Sequence, residues 1–257
     1  MRKIDLSYQK NVRDLVGLVG YQQKKVKENR LIRGGFLGRV SPKDIEVINS
    51  LHLTDIVDFR GKDEFINRPD YRFEGVRYHN LPAMETDVRK EDSKTEDSNL
   101  LWFLGEEVNG YKHMFNLYPV IVTTEPGITA FKKFFELLVS EDNLTVYFHC
   151  SQGKDRAGLA AYLLEIALGV SPEVVREDYL ATNEAMKIKI KQLKAQLRNE
   201  SFYDSNYEKS LVDVFEAKED YLNNALKAIN EKYGSVENYL VEELEVDIEK
   251  LRALYLQ

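Results

Sequence analysis

The stretch "HCSQGKDRAG", His149 to Gly158, contains the single cysteine of a 257-residue chain and an arginine six positions after it. A β-branched and aromatic run, "TVYF", precedes it, and a long apolar run, "LAAYLLEIALGV", follows it. A strand, a glycine-bearing turn and a helix starting near Arg156 aim successive backbone N–H groups and the positive end of the helix dipole at one point. That point attracts an anion. A thiol at the start of the turn, Cys150, sits in a positive field that favours the nucleophilic thiolate. Arg156 can return to the centre of the same loop and offer a planar fork of donors to two oxygens of a tetrahedral anion. Nucleophile and anion clamp then share one site, which suits phosphoryl transfer through a covalent cysteinyl-phosphate. Ser151, Gln152, Gly153, Lys154 and Ala157 complete the loop as substrate-binding positions. The chemistry calls for no metal ion and no cofactor.

The plain alternative for Cys150 is an inert buried thiol, since free cysteine is among the most buried residue types. The pattern C-x5-R is weak alone, and its strand-turn-helix setting carries the weight. His149 reads as a buried histidine that orients the loop rather than as a direct catalyst. A nucleotide-binding P-loop is excluded, because its first glycine would fall at Phe148 and its hydroxyl residue at Asp155.

The elements around the loop follow from pattern. In "SPKDIEVINSLH", Ser41 is a helix N-cap, Pro42 the first helical residue, and Ile45, Ile48 and Leu51 recur at helical spacing. "TDIVDFR", Thr54 to Arg60, and "GVRYHNLP" read as strands. "ITAFKKFFELLVS" is an amphipathic helix leading into the strand "NLTVYFH". Ser171-Pro172 opens another helix, and the C-terminal third is helical with a break at Gly234, where Ser235 caps the next helix. Between them, residues 83–118 form an inserted, lid-like segment: a polar stretch, then Trp102, Phe103, Tyr111, Met114 and Phe115, which fill a satellite core or cover a substrate. The expected fold is α/β, with a central sheet flanked by helices and a helical C-terminal part, in one domain spanning 1–257.

Composition agrees with an ordinary soluble globular protein: 43% hydrophobic, 31% charged. A net charge of −7 argues against general binding to nucleic acid or to a membrane surface, though a local basic pocket can coexist with it. One cysteine forbids an internal disulfide framework. Charges at Asp5, Lys10, Arg13 and Asp14 interrupt any secretory apolar core, and no apolar run reaches the length of a membrane span. A cytoplasmic location is expected, unless a signal was removed. Composition does not speak to oligomeric state.

The loop resembles the signature of the cysteine-dependent phosphatases, in particular the atypical bacterial and fungal tyrosine-phosphatase family whose loop reads HCxxGKDR followed by Thr and Gly. The resemblance extends through "NVRDLVG", "RLIRGGFLG", "DIVDFRGKDE", "RPDY", "VRYHNLP", "LGVSPEVVREDYLATN" and "KYGSVENYL", nearly to the C-terminus. It implies a protein-tyrosine-phosphatase-like fold acting on phosphotyrosine, with phosphoserine/threonine or phosphoinositides as further substrates. Cys150 would be the nucleophile and Arg156 the clamp. Lys154 would supply an extra cation, as in phosphoinositide 3-phosphatases. The chain departs from the pattern at Ala157, where the family has a hydroxyl residue that assists departure of the thiolate.

The leaving oxygen needs a proton. Three aspartates compete for that role, ranked Asp155, in the loop, then Asp58, which the resemblance brings to the site with its neighbour Arg60, then Asp87, on the polar segment. Each has a plainer use: Asp155 orienting backbone or Arg156, Asp58 pairing with an arginine such as Arg60, Asp87 as a solvated charge. Three functions stay open: a protein-tyrosine phosphatase with possible dual specificity, a phosphoinositide phosphatase, and a phosphate-reading module with little turnover. The partner in each case is a phosphorylated protein or a phosphoinositide.

Overall fold

In a computed structural model of the chain, residues 1–84, 109–199 and 203–257 are described. The strands are β1 (Arg2–Lys3), β2 (Arg13–Asp14), β3 (Leu31–Gly35), β4 (Asp55–Asp58), β5 (Arg77–Asn80) and β6 (Val146–Cys150). Among the described residues they form one sheet in the order β1-β2-β3-β6-β4-β5. The strands from β3 to β5 in that order are parallel, and β1 and β2 add an antiparallel edge. β6 runs through the middle, every residue buried, as a parallel strand covered on both faces requires.

Alternation along β6 divides the molecule. Val146, Phe148 and Cys150 join the larger core cluster, while Tyr147 joins the smaller one on the opposite face with Ile32, Ile56 and Ile48. The smaller face is covered by α1 (Pro42–Ser50), which starts as its sequence requires: Ser41 Oγ accepts from Asp44 N at 3.2 Å and the Asp44 carboxylate accepts from Ser41 N at 2.8 Å. A short helix, α2 (Lys62–Asn67), follows β4.

The larger face is built by α3 (Gly110–Thr123), α4 (Glu125–Leu138), α5 (Arg156–Ala167), α6 (Pro172–Arg198), α7 (Ser205–Phe215), α8 (Glu219–Tyr233), α9 (Val236–Asn238) and α10 (Ile248–Tyr255). α4 buries Ile128, Phe131, Phe134, Phe135 and Leu138 on one stripe. α5 is buried on nearly all sides, as its uninterrupted apolar sequence implies. Gly234 ends α8 at φ 84°, where a side chain would be strained, and Ser235 Oγ then accepts from Asn238 N at 3.0 Å to start α9. No described helix is long and apolar enough to cross a membrane.

Most of the expected insertion, with Asp87, Trp102 and Phe103, lies outside the described residues. Its C-terminal end is the first part of α3. There Met114 is buried, and Tyr111 and Phe115 pack against the main core rather than a satellite one.

Candidate active site

β6 delivers Cys150 to the C-terminal edge of the sheet, 2% exposed at the floor of a cleft of about 970 Å³. After it the chain turns through Gly153, at φ 68°, into α5. A Cβ at residue 153 would collide with the backbone of Gly34, so glycine is required by both conformation and space.

The loop carbonyls are drawn away from the cleft. Ser151 O accepts from Phe36 N at 3.5 Å, Gln152 O from Asn11 Nδ2 at 2.9 Å and Gly153 O from the Arg33 guanidinium at 3.0 Å. The amide N–H groups of Ser151 to Asp155 donate to no described residue, which is the form of a backbone anion nest. Behind the loop, Arg13 and Arg33 both pair with Asp178, Arg13 through Nε at 2.6 Å, and Arg13 also donates to Asn11 Oδ1 at 2.6 Å. Burial opposes the charge of Asp178, yet the two arginines hold it down at about 2. The cluster fixes the arms that hold the loop carbonyls. Sequence reasoning missed this layer, although arginines inside "NVRD" and "LIRGG", otherwise strand-like, were its signal.

Arg156, at the first position of α5, donates through one terminal nitrogen to Glu64 Oε2 at 3.1 Å and through the other to Ser151 Oγ at 3.1 Å. Ser151 Oγ in turn donates to Glu64 Oε1 at 2.6 Å. These three bonds fix the plane of the guanidinium over the loop. Glu64, from α2, was not among the expected site residues, although it is the final acid of the "DFRGKDE" element. The Ser151 side chain serves Arg156, and its amide remains available to an anion. Gln152 lines the cleft and accepts from Lys189 Nζ at 3.1 Å.

Two neighbouring loop residues divide in role. Asp155 lines the cleft, and its Oδ1 accepts from Tyr118 Oη at 2.8 Å and lies 3.1 Å from Lys154 Nζ. Among the described residues its Oδ2 accepts no hydrogen bond. Lys154 lines the cleft, where the sequence expects an extra phosphate cation, but its amine is turned to α7. Its amine donates to Val214 O at 2.6 Å and Glu216 O at 3.1 Å, 2% exposed, tying the end of α7 to the loop. Ala157 is fully buried in the first turn of α5.

Asp58 and Arg60 are corrected by the same geometry. Asp58 is in register with His149, so it shares the face of His149, opposite to Cys150. Both its oxygens accept from Arg60 Nε, at 3.0 and 2.9 Å, and both residues are 1% exposed, outside the cleft lining. Asp58 therefore cannot meet a leaving group, and Arg60 cannot meet a phosphate. Asp87, the third candidate acid, lies outside the described residues.

His149, fully buried, places Nε2 3.2 Å from Asp70 Oδ2 and Nδ1 3.3 Å from Cys150 O. Its complete burial separates it from any substrate in the cleft. Asp58, Asp70 and His149 bring ligand atoms close enough to hold a cation, but the Arg60 guanidinium already lies among them, 3.2 Å from Asp70 Oδ2. Burial resists charge on His149, yet Asp70 and Asp58 outweigh it and raise its pKa above 6.5, while Asp70 is lowered against its own burial by His149. The sign follows: a raised folded value contributes stability that is complete below the unfolded value and is lost as pH rises through the folded one. Melting temperature is expected to decline as pH rises above about 6.5 in the wild type and to decline less in His149→Asn. Equal slopes in both proteins would contradict this.

Above the loop the cleft has an apolar wall: Met114, Leu117 and Ile121 from α3, Met186 from α6 and Phe215 from α7. A cysteine beside five amides free of described acceptors, an arginine fork and an apolar wall together have the form of an anion site with room for an organic group.

The family model described as "Tyrosine phosphatase family" matches residues 4–257. The chain belongs to the tyrosine phosphatase family. As a member it is a tyrosine phosphatase, a hydrolase, and its expected fold class is borne out. It is 30% identical to a candidate tyrosine-protein phosphatase of Cupriavidus necator, over 96% of this chain and 85% of that one. It is 25% identical to the triple specificity protein phosphatase PtpB of Mycobacterium tuberculosis, over 84% of this chain and 86% of that one. A tyrosine-protein phosphatase of Nostoc commune is 27% identical over 60% of this chain and 48% of its own length.

Proposed function

We propose that the chain, acting as one phosphatase domain over residues 1–257, hydrolyses phosphotyrosine in proteins through a cysteinyl-phosphate on Cys150. The observation that carries this reading is the loop itself, with three carbonyls bonded outward, five amides without a described acceptor, and Cys150 at its start on the cleft. The thiolate attacks phosphorus, and the bond from phosphorus to the aryl oxygen breaks. Loop amides and Arg156 bind the three equatorial oxygens as charge shifts among them. Asp155, in its protonated form, gives its proton to the leaving oxygen. In the second half, water attacks the phosphocysteine, Asp155 takes its proton, and the sulfur–phosphorus bond breaks to return the thiolate.

The apolar wall of Met114, Leu117, Ile121, Met186 and Phe215 suits an aromatic ester, while Lys10, Arg39, Arg68 and Lys189 on the same cleft could meet further phosphates. The sequence case for lipid phosphate rested on Lys154, whose amine is engaged by α7. Broader specificity is nevertheless the second reading, supported by the name of the mycobacterial relative and by a cleft larger than a phenyl ring needs. Phosphotyrosine peptide, phosphoserine peptide and phosphoinositide, each assayed with wild type and Cys150→Ser and with and without chelator, test both. The first reading expects phosphotyrosine peptide to be hydrolysed fastest, dependent on Cys150 and insensitive to chelator. Faster hydrolysis of phosphoinositide would overturn that ranking.

Ala157 makes a further prediction. Without a hydroxyl to stabilise the departing thiolate, breakdown of the phosphoenzyme is slow, and Ala157→Thr is expected to raise turnover by about threefold, within what one hydrogen bond to a charged group contributes. The burst of aryl alcohol seen by stopped flow should shrink accordingly. Unchanged burst and turnover would show that the missing hydroxyl is immaterial.

A further inference from the structure

We propose that Tyr118 is a positioning residue of the phosphatase reaction, whose buried hydroxyl fixes Asp155 so that only Oδ2 carries the proton given to the leaving group. The proposal rests on the phosphatase reading above, with Asp155 as proton donor.

Tyr118 comes from α3, far in sequence from the loop, and is fully buried. Its hydroxyl is 2.8 Å from Asp155 Oδ1 and 2.8 Å from the Tyr179 hydroxyl, which lies 3.3 Å from Lys218 O. A phenol has one proton to donate. Tyr179 donates its own proton to Lys218 O, and the Tyr118 hydroxyl donates to Asp155 Oδ1, an oxygen that only accepts. Burial, reinforced by the charge of Asp155, raises the pKa of Tyr118, and burial likewise raises that of Tyr179, so both remain neutral donors in the physiological range.

The position of the hydroxyl is set by packing. The Tyr118 ring meets Tyr179 edge-on, with centroids 6.3 Å apart, and Tyr221 at 5.6 Å. The Lys154 ammonium lies 3.1 Å from the same Oδ1 as an ion-pair partner. A hydroxyl donor and a cation at Oδ1 disfavour a carboxyl proton there, which falls to Oδ2, the oxygen without a described partner in a residue that lines the cleft. Lys154 belongs to the loop and moves with it. Tyr118 belongs to another element, so it sets how the carboxyl faces the cleft.

The test compares aryl phosphates that do and do not need a proton on the departing oxygen. In Tyr118→Phe, kcat for phenyl phosphate is expected to fall by about tenfold, part of the roughly 10²- to 10⁴-fold that a positioned acid contributes. For 2,4-dinitrophenyl phosphate, whose leaving group departs as the anion, the fall should be under about twofold, with KM for both esters unchanged. Asp155→Ala should show the same selectivity, and adding Tyr118→Phe to it should add none. A purely structural Tyr118 would instead lower both rates together. Thermal melts identify any loss of fold, and Tyr179→Phe, read the same way with a smaller effect, serves if Tyr118→Phe does not fold. Equal losses on both esters, or no loss on phenyl phosphate, overturn the proposal while leaving the phosphatase reading intact. Wild-type hydrolysis that persists in Cys150→Ser, or no hydrolysis at all, overturns both.

Discussion

Cys150→Ser is expected to abolish hydrolysis of p-nitrophenyl phosphate and of phosphotyrosine peptide, by on the order of 10⁵-fold, the scale on which loss of a covalent nucleophile acts. A serine hydroxyl is far less acidic than a thiol, so it supplies no anionic nucleophile near neutral pH. The substitution is nearly isosteric at a 2% exposed position, so the fold and the anion nest should survive. The variant is therefore expected to retain affinity for phosphotyrosine peptide while losing turnover. Isothermal titration of peptide, paired with the rate assay, separates the two. Residual activity within a factor of about 10 of wild type would mean that the reaction does not pass through this sulfur.

Arg156→Lys has the second-largest expected effect. Lysine keeps the charge but has no planar fork, so it cannot hold Glu64 and Ser151 and also meet two phosphate oxygens. The expected loss in kcat is roughly 10³-fold, comparable with removal of a preorganised donor from an oxyanion site. Glu64→Gln should lose about tenfold, because a neutral amide still accepts one hydrogen bond from the guanidinium but no longer balances its charge. The order Arg156→Lys worse than Glu64→Gln follows from direct contact with phosphate in one case and orientation in the other. A Glu64→Gln variant slower than Arg156→Lys would show that the ion pair, rather than the clamp, limits the reaction.

How much of this was legible in the sequence depended on whether the cause was local. The N-cap at Ser41, the apolar stripe of α4, the all-round apolar α5 and the break at Gly234 are each set by residues within a few positions, and each formed as its pattern requires. Cys150 and Arg156 could be read because strand, turn and helix are contiguous around them. Asp58 and Arg60 were misplaced because proximity to the sheet edge does not reveal which face a residue takes. Register with His149 decides that, and register is a property of two strands far apart in sequence. Lys154 fits a substrate cation until the carbonyls at the end of α7 return to it. Nothing local to Tyr118, at the end of the expected insertion, marks it as part of the site. Only the fold brings its polar tip to Asp155.

Glu64 is an intermediate case. Within "DFRGKDE" the resemblance points to Asp58 and Arg60 at its start, whereas the residue that touches the site, Glu64, is at its end. The helix N-terminus at α2 turns Glu64 back toward Ser151 and Arg156, while Asp58 and Arg60 close on each other beneath. One short element thus supplies both a buried structural pair and a partner for the clamp.

The account is tested most directly by trapping the covalent intermediate. Enzyme mixed with p-nitrophenyl phosphate and quenched within the first turnover should carry one phosphate, which peptide mapping by mass spectrometry places on Cys150, and the label should accumulate less in Ala157→Thr. Wild-type enzyme that turns over substrate without phosphate on Cys150, or that carries it on another residue, would contradict the central claim.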